Sequence, residues 1–143
     1  MFGFKKKERK EENFKKIYGE NYDIYLVVFR YVEVLNKELE SIFSLITQTK
    51  TYDLDERRDE ILKVNNLINQ FNQDKTKLIA YLISNRNILS KKEEFNFLYV
   101  GNLNSLNYTF PTFSNMTSDK VYETAYHRFD MIFKTFLRMI SKL

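Results

Sequence analysis

Residues 25–46 read YLVVFRYVEVLNKELESIFSLI, and their apolar side chains recur at alternating steps of three and four. This spacing keeps an apolar stripe on one face of an α-helix, as helices that cross at about 20° require. The segment is therefore predicted to be a long helix with one buried face. Its stripe consists of Tyr25, Val28, Val32, Leu35, Leu39, Ile42 and Ile46.

Two further segments repeat this heptad pattern. The second stripe is interrupted by Lys75, so a helix from Leu54 either continues to about Ser90 or breaks near residues 72–74. Residues 49–52 leave room only for a tight connection, which predicts antiparallel packing of the first two helices. The stripes are Ile61, Val64, Ile68, Phe71, Leu78 and Leu82, and then Tyr122, Ala125, Phe129, Ile132, Phe136, Met139 and Leu143. The predicted fold class is all-α: an antiparallel helical bundle of three long helices with coiled-coil-like packing.

The composition is that of a folded chain with few turns. Its 143 residues fit one domain, and 43% of them are apolar and 16% aromatic, which excludes a disordered chain. Three Gly and one Pro favour long helices. The absence of Cys and of an apolar run long enough to span a membrane predicts a cytoplasmic protein. The abundance of Asn, Lys, Ile, Phe and Tyr is typical of AT-rich codons and points to a low-GC bacterium or its phage.

Residues 95–118 contain no Asp, Glu, Lys or Arg, although these types make up 29% of the chain. Alternating rings on both sides of Gly101 predict a small β-hairpin that Pro111 ends. A segment so apolar is expected to be buried. It either binds a protein partner or closes the open side of the bundle, and the sequence does not choose between these two interpretations. The residues predicted to bind a partner are Phe95, Phe97, Tyr99, Tyr108, Phe110 and Phe113.

A basic arm precedes the predicted bundle. Residues 1–20 hold seven basic and four acidic side chains, whereas residues 21–143 are close to neutral. The division predicted is therefore an arm over 1–20, with a short helix from Phe4 to Tyr18 that Gly19 ends or kinks, and one bundle domain over 21–143. The alternative function rests on this arm, as a binder of nucleic acid or of an anionic membrane surface. Its residues are Lys5, Lys6, Lys7, Arg9 and Lys10.

The sequence offers little for catalysis. His127 is the only histidine, and on a helix it shares a face with Glu123 and Asp130. This grouping is half of a metal site at most, because no second histidine completes it. Phosphate-binding loops, nucleophile elbows and zinc-protease motifs are missing from the sequence. We therefore expect no enzyme activity, no metal and no cofactor.

The function predicted from these patterns is a non-catalytic protein–protein interaction module, such as an adaptor, an inhibitor or an assembly subunit. A homodimer is also predicted, because apolar residues flank the stripes and three helices are not expected to hide all of them. The flanking residues are Ile24, Phe29, Phe43, Phe133 and Leu137.

Overall fold

The computed structural model describes residues 2–48, 54–96 and 119–141, and these residues are almost entirely helical, with no β-strand among them. The predicted all-α class is confirmed. The predicted connection at 49–52 and the predicted hairpin both lie outside the described residues. The helices are α1 (Phe2–Tyr18), α2 (Tyr22–Gln48), α3 (Leu54–Ser84), α4 (Arg86–Leu89), α5 (Glu93–Asn96) and α6 (Asp119–Ser141).

The short N-terminal helix is present as α1, and it ends where the sequence predicts. Gly19 adopts φ +66°, a left-handed conformation that side chains with a Cβ rarely adopt. A 3₁₀ turn, Gly19–Asn21, then leads directly into α2. Phe14 and Tyr18 of α1 are buried in the same core as the stripe of α2. The arm is therefore a helix packed on the rest of the chain.

The helix predicted from Leu54 is continuous through residues 72–74, so the predicted break there is wrong, but it ends at Ser84 and does not reach Ser90. α3 runs from Leu54 to Ser84 without a break. Lys75 keeps the stripe in phase because its side chain lies in the core, with only 3% of its surface exposed. After Ser84 the chain turns at Asn85, whose N–H donates to the carbonyl of Tyr81, and continues through α4 and α5.

The apolar stripes pack against one another within one chain. On α2 all seven stripe residues are buried, and Val64, Ile68, Phe71, Leu78 and Leu82 of α3 are buried with them. The ring of Phe71 meets the ring of Phe129 on α6 edge-on, with centroids 5.5 Å apart. Helix α2 contacts α1, α3 and α6, and is therefore the central element of the described core.

The flanking apolar residues are largely covered as well. Phe29 and Phe133 are buried, and Phe43 stacks on Tyr126 with ring centroids 4.1 Å apart. The side chain of Leu137 lies outside the described part of the structure. A homodimer was predicted because apolar surface was expected to remain exposed on a single chain. Phe29, Phe43 and Phe133 do not provide such a surface, because they pack within the chain. The homodimer stays a prediction without that support.

No helix in the ranges 2–48, 54–96 and 119–141 combines the length and the apolar character needed to cross a lipid bilayer.

Candidate functional site

Six aromatic side chains form a cluster, here called the aromatic cluster, where α1, α2, α5 and α6 meet. Tyr18 stacks on Tyr25 with ring centroids 4.3 Å apart. The ring of Phe95 lies edge-on to Tyr18, Tyr25 and Phe136, at 5.4, 4.7 and 5.4 Å. Such edge-on pairs add attraction beyond the area that they bury. The cluster consists of Phe14, Tyr18, Tyr25, Phe29, Phe95 and Phe136, all of them buried.

Two tyrosine hydroxyls connect the aromatic cluster to the residues just before residues 95–118, here called the uncharged segment. The Tyr18 hydroxyl donates to a Glu94 carboxylate oxygen at 2.6 Å. The Tyr25 hydroxyl donates to the carbonyl of Ile88 at 2.7 Å. Burial, and then the hydrogen bond to the Glu94 carboxylate, raise the pKa of Tyr18 far above its ordinary value, so it remains a donor. These bonds hold α4 and α5 against α1 and α2.

The structure describes one of the six residues predicted to bind a partner. Phe95 is fully buried in the aromatic cluster. Its ring is therefore a core element and is not open to a partner in this structure. The other five, Phe97, Tyr99, Tyr108, Phe110 and Phe113, lie outside the described residues.

The predicted basic surface is only partly available. Arg9 is exposed on α1, but the Lys10 ammonium pairs with Glu33 at 3.0 Å and lies 4.7 Å from the centre of the Phe29 ring. Lys10 therefore fastens α1 to α2. Lys5, Lys6 and Lys7 belong to α1 by their backbone, and their side chains lie outside the described part.

A polar contact between α2 and α3 is a feature that the sequence did not predict. Glu38 on α2 and Asp74 on α3 share a hydrogen bond between their carboxyl groups. Asp74 also accepts a hydrogen bond from the Gln70 amide at 3.1 Å, and the Lys77 ammonium lies 3.9 Å away. Burial, and then Asp74, raise the pKa of Glu38 to about 8, while its hydrogen bond with Glu38 lowers the pKa of Asp74. The arrangement is one proton shared by two carboxyl groups, held mainly on Glu38.

A shallow groove of about 360 Å³ lies beside this carboxyl pair. Its α2 wall carries apolar side chains spaced one helical turn apart, and its α3 wall is polar. The residues that line it are Val27, Arg30, Tyr31, Val34, Asp74 and Lys77. Perturbed carboxyl groups beside a groove are a common feature of functional sites, but they also occur in structural networks.

Lys75 is a second perturbed group, separate from the carboxyl pair. Its ammonium lies 5.7 Å from the centre of the Phe129 ring on α6. Burial lowers its pKa to about 8. The interruption of the second stripe by a lysine was the only sequence signal for this position.

His127 does not assemble a metal site with its neighbours. Its Nε2 lies 3.8 Å from Glu123, while Asp130 instead pairs with Lys134 at 2.9 Å. Within the described ranges, no group of three or more His, Cys, Asp or Glu side chains is placed to hold a metal ion. The His127 ring lies against Tyr126 and Phe43 on the outer side of α6, with centroids 5.3 and 6.2 Å away.

Comparison with protein-family models, with curated proteins and with solved structures finds no match to this chain.

Proposed function

We propose that this protein is a non-catalytic interaction module, an adaptor, an inhibitor or an assembly subunit, that binds a protein partner through its uncharged segment. Phe97, Tyr99, Tyr108, Phe110 and Phe113 supply the binding rings. Phe95 takes a different part from the one first predicted, because its ring anchors the start of the segment in the core. Aromatic side chains without neighbouring charges are what the centre of a protein interface requires.

The observation that carries this proposal is the anchorage of Phe95 at the start of the segment. Its ring contacts α1, α2 and α6 through Tyr18, Tyr25 and Phe136. The segment ends at residue 118, directly before Asp119, where α6 begins. Both ends therefore belong to core helices, and fixing the ends reduces the entropy lost when the segment binds.

The architecture in this proposal is the antiparallel bundle of α2, α3 and α6 with a small β-hairpin in the segment. Two contacts support antiparallel directions for α2 and α3. Early residues of α2 meet late residues of α3, as Tyr31 meets Tyr81, and later ones meet earlier ones, as Glu38 meets Asp74. We place the protein in the cytoplasm because its sequence has no Cys. A second copy of the chain is an alternative occupant of the same surface.

The decisive first experiment separates an interface from a core. Phe97→Asp and Tyr99→Asp are each compared with Ile83→Asp, whose parent side chain is 58% exposed on α3. The proposal expects all three variants to keep the wild-type far-UV circular dichroism and to unfold within about 1 kcal/mol of the parent in urea. If Phe97→Asp and Tyr99→Asp unfold the protein and Ile83→Asp does not, the segment belongs to the core and the proposal is wrong.

The second experiment tests the binding itself. A photo-crosslinking amino acid placed at position 99 is expected to capture one discrete protein in the source cell, whereas the same group at position 83 is not. The capture at position 99 must disappear when Phe97→Asp is added. Equal products from both positions, or a product that survives Phe97→Asp, would contradict the assignment of this surface.

The basic arm is the second candidate, and it receives less support. Lys10 is already paired with Glu33, and Phe14 and Tyr18 of the same helix are committed to the core. Nucleic acid or an anionic membrane would therefore have to be bound by the outer face of α1 that carries Arg9.

A further inference from the structure

Gly19 lies at the only position in the described residues with a positive φ, between α1 and α2. A Cβ built at Gly19 would meet no atom within 4 Å. The surroundings of position 19 would therefore accept a side chain. It is the left-handed backbone conformation that requires glycine there. Glycine adopts a helical φ as readily as a left-handed one, so this position has two accessible conformations.

The contacts described for α1 are made by side chains across helices, to α2 and, through Tyr18, to Glu94 and Phe95 of α5. Phe14 meets Phe29 with ring centroids 5.4 Å apart, and Tyr18 stacks on Tyr25. Lys10 pairs with Glu33. These contacts need an α1 on that face of α2, but they do not need both helices to belong to the same chain.

We propose that α1 is exchanged between two copies of this protein, with Gly19 as the hinge. When Gly19 takes a helical φ, α1, the 3₁₀ turn and α2 join into one helix from Phe2 to Gln48. The α1 of each copy then points away from its own α2 and packs on the second copy's Tyr25 and Phe29. The exchanged pair keeps the contacts of the closed chain and loses the left-handed residue, which is the low-cost route to a dimer that exchange of an identical element provides.

This inference does not rest on the proposed partner of the uncharged segment. It concerns the surface beneath α1, which α2 forms together with Glu94 and Phe95 of α5, and its variants leave positions 97 and 99 untouched. Either one can fail while the other holds.

Gly19→Ala is the first test. Alanine disfavours a left-handed φ by about 1–2 kcal/mol and favours a continuous helix. In each chain, the equilibrium between the closed form and the open form, in which α1 and α2 are one helix, should therefore shift about tenfold toward the open form. The full-length variant, refolded from urea at low and high concentration, is expected to be dimeric at high concentration by light scattering. Gly19→Asn is the control, because asparagine tolerates the left-handed conformation, and it should behave as the parent does.

A charge-exchange experiment then shows whether α1 crosses between copies. In the Gly19→Ala background, Lys10→Glu places two carboxylates together in a closed chain, and Glu33→Lys places two ammonium groups together. When the two variants are refolded as a mixture, an exchanged heterodimer restores an opposite-charge pair at both sites. The mixture is expected to dimerise severalfold more than either variant alone.

The results that would overturn the proposal are equally definite. A Gly19→Ala chain that stays monomeric at every concentration and only loses stability would show that α1 detaches without exchanging. Dimers that form equally in the mixture and in the separate variants would show a contact that does not involve the Lys10–Glu33 site.

Discussion

Glu38 and Asp74 share one hydrogen bond between two carboxyl groups, across the contact of α2 with α3. Gln70 and Lys77 both support a negative charge on Asp74. Nothing comparable supports a charge on Glu38, whose Oε2 is buried without a hydrogen-bond partner in the described structure. Glu38 is therefore the member of the pair that holds the proton, and this assignment gives the contact a definite dependence on pH.

The free energy of unfolding is expected to fall as the pH rises from about 4.5 to about 8. Glu38 binds its proton more tightly in the folded chain, where its pKa is about 8, than in the unfolded chain, where it is 4.5. Its contribution is thus complete below 4.5 and lost as the pH rises through 8. The lowered pKa of Asp74 acts only at more acidic pH, below its ordinary value of 3.8. Because water partly screens the pair, we expect a change of about 1–2 kcal/mol, measured by urea unfolding across this range.

Glu38→Gln tests the assignment directly, since the amide stays neutral and can still donate to Asp74. The variant is expected to lose the slope between pH 4.5 and 8 and to be more stable than the parent above pH 8. Glu40→Gln, at an exposed position of the same helix, serves as the matched control and should keep the slope. Parallel profiles for the parent and Glu38→Gln would show that another group carries the pH dependence.

Replacing Lys75 with methionine is expected to stabilise the protein by about 1 kcal/mol at pH 7, because it fills the same volume in the core without a charge. Burial lowers the pKa of Lys75 from 10.5 to about 8, so the folded chain resists its protonation. The parent should therefore gain stability between pH 8 and 10.5, and Lys75→Met should not. Urea unfolding measures both effects. Lys63→Met, at an exposed position of α3, controls for the loss of one positive charge, and a destabilised Lys75→Met would mean that the ammonium is needed where it lies.

The helices could be predicted from the sequence because heptad spacing is a local property. The stripe from Tyr25 to Ile46 needs only its own 22 residues to be recognised, and it is buried as predicted. The carboxyl pair could not be predicted in the same way. Glu38 meets Asp74 only because α2 and α3 pack in one particular register, which is set by the whole core.

The neighbours of the uncharged segment could not be predicted from the sequence either. Its lack of charge predicted burial, but not whether its own chain or a partner would cover each ring. Phe95 is covered by its own chain because it lies in α5, where its ring reaches Tyr18, Tyr25 and Phe136. Those three residues lie on separate helices, each far from Phe95 in the sequence, so no local pattern could have identified them as its neighbours.

Phe95→Ala is expected to destabilise the protein by about 3–5 kcal/mol, the usual cost of removing a fully buried ring. Thermal and urea unfolding measure this loss. Met131→Ala is the control, because Met131 is 67% exposed on α6, and it should change stability by less than about 0.5 kcal/mol. A small effect of Phe95→Ala would mean that the ring does not anchor the segment, and it would remove the main support for the proposed function.

The alternative function, binding through the basic arm, needs a test that does not disturb the fold. Deleting residues 1–18 does not meet this condition, because it removes Phe14 and Tyr18 and uncovers Tyr25 and Phe29 in the core. We expect the deletion to cost several kcal/mol of stability, so a loss of binding would have no clear cause.

Neutralising Lys5, Lys6, Lys7 and Arg9 to Gln leaves those contacts and the Lys10–Glu33 pair in place, and it should leave the unfolding midpoint near that of the parent. If the arm binds nucleic acid or an anionic surface, the affinity for duplex DNA or for phosphatidylserine vesicles must fall at least tenfold. Its dependence on salt must weaken as well, because each contact with a phosphate releases a counterion. If the parent binds neither probe at low salt, the arm serves the fold alone, as the burial of Phe14 and Tyr18 already favours.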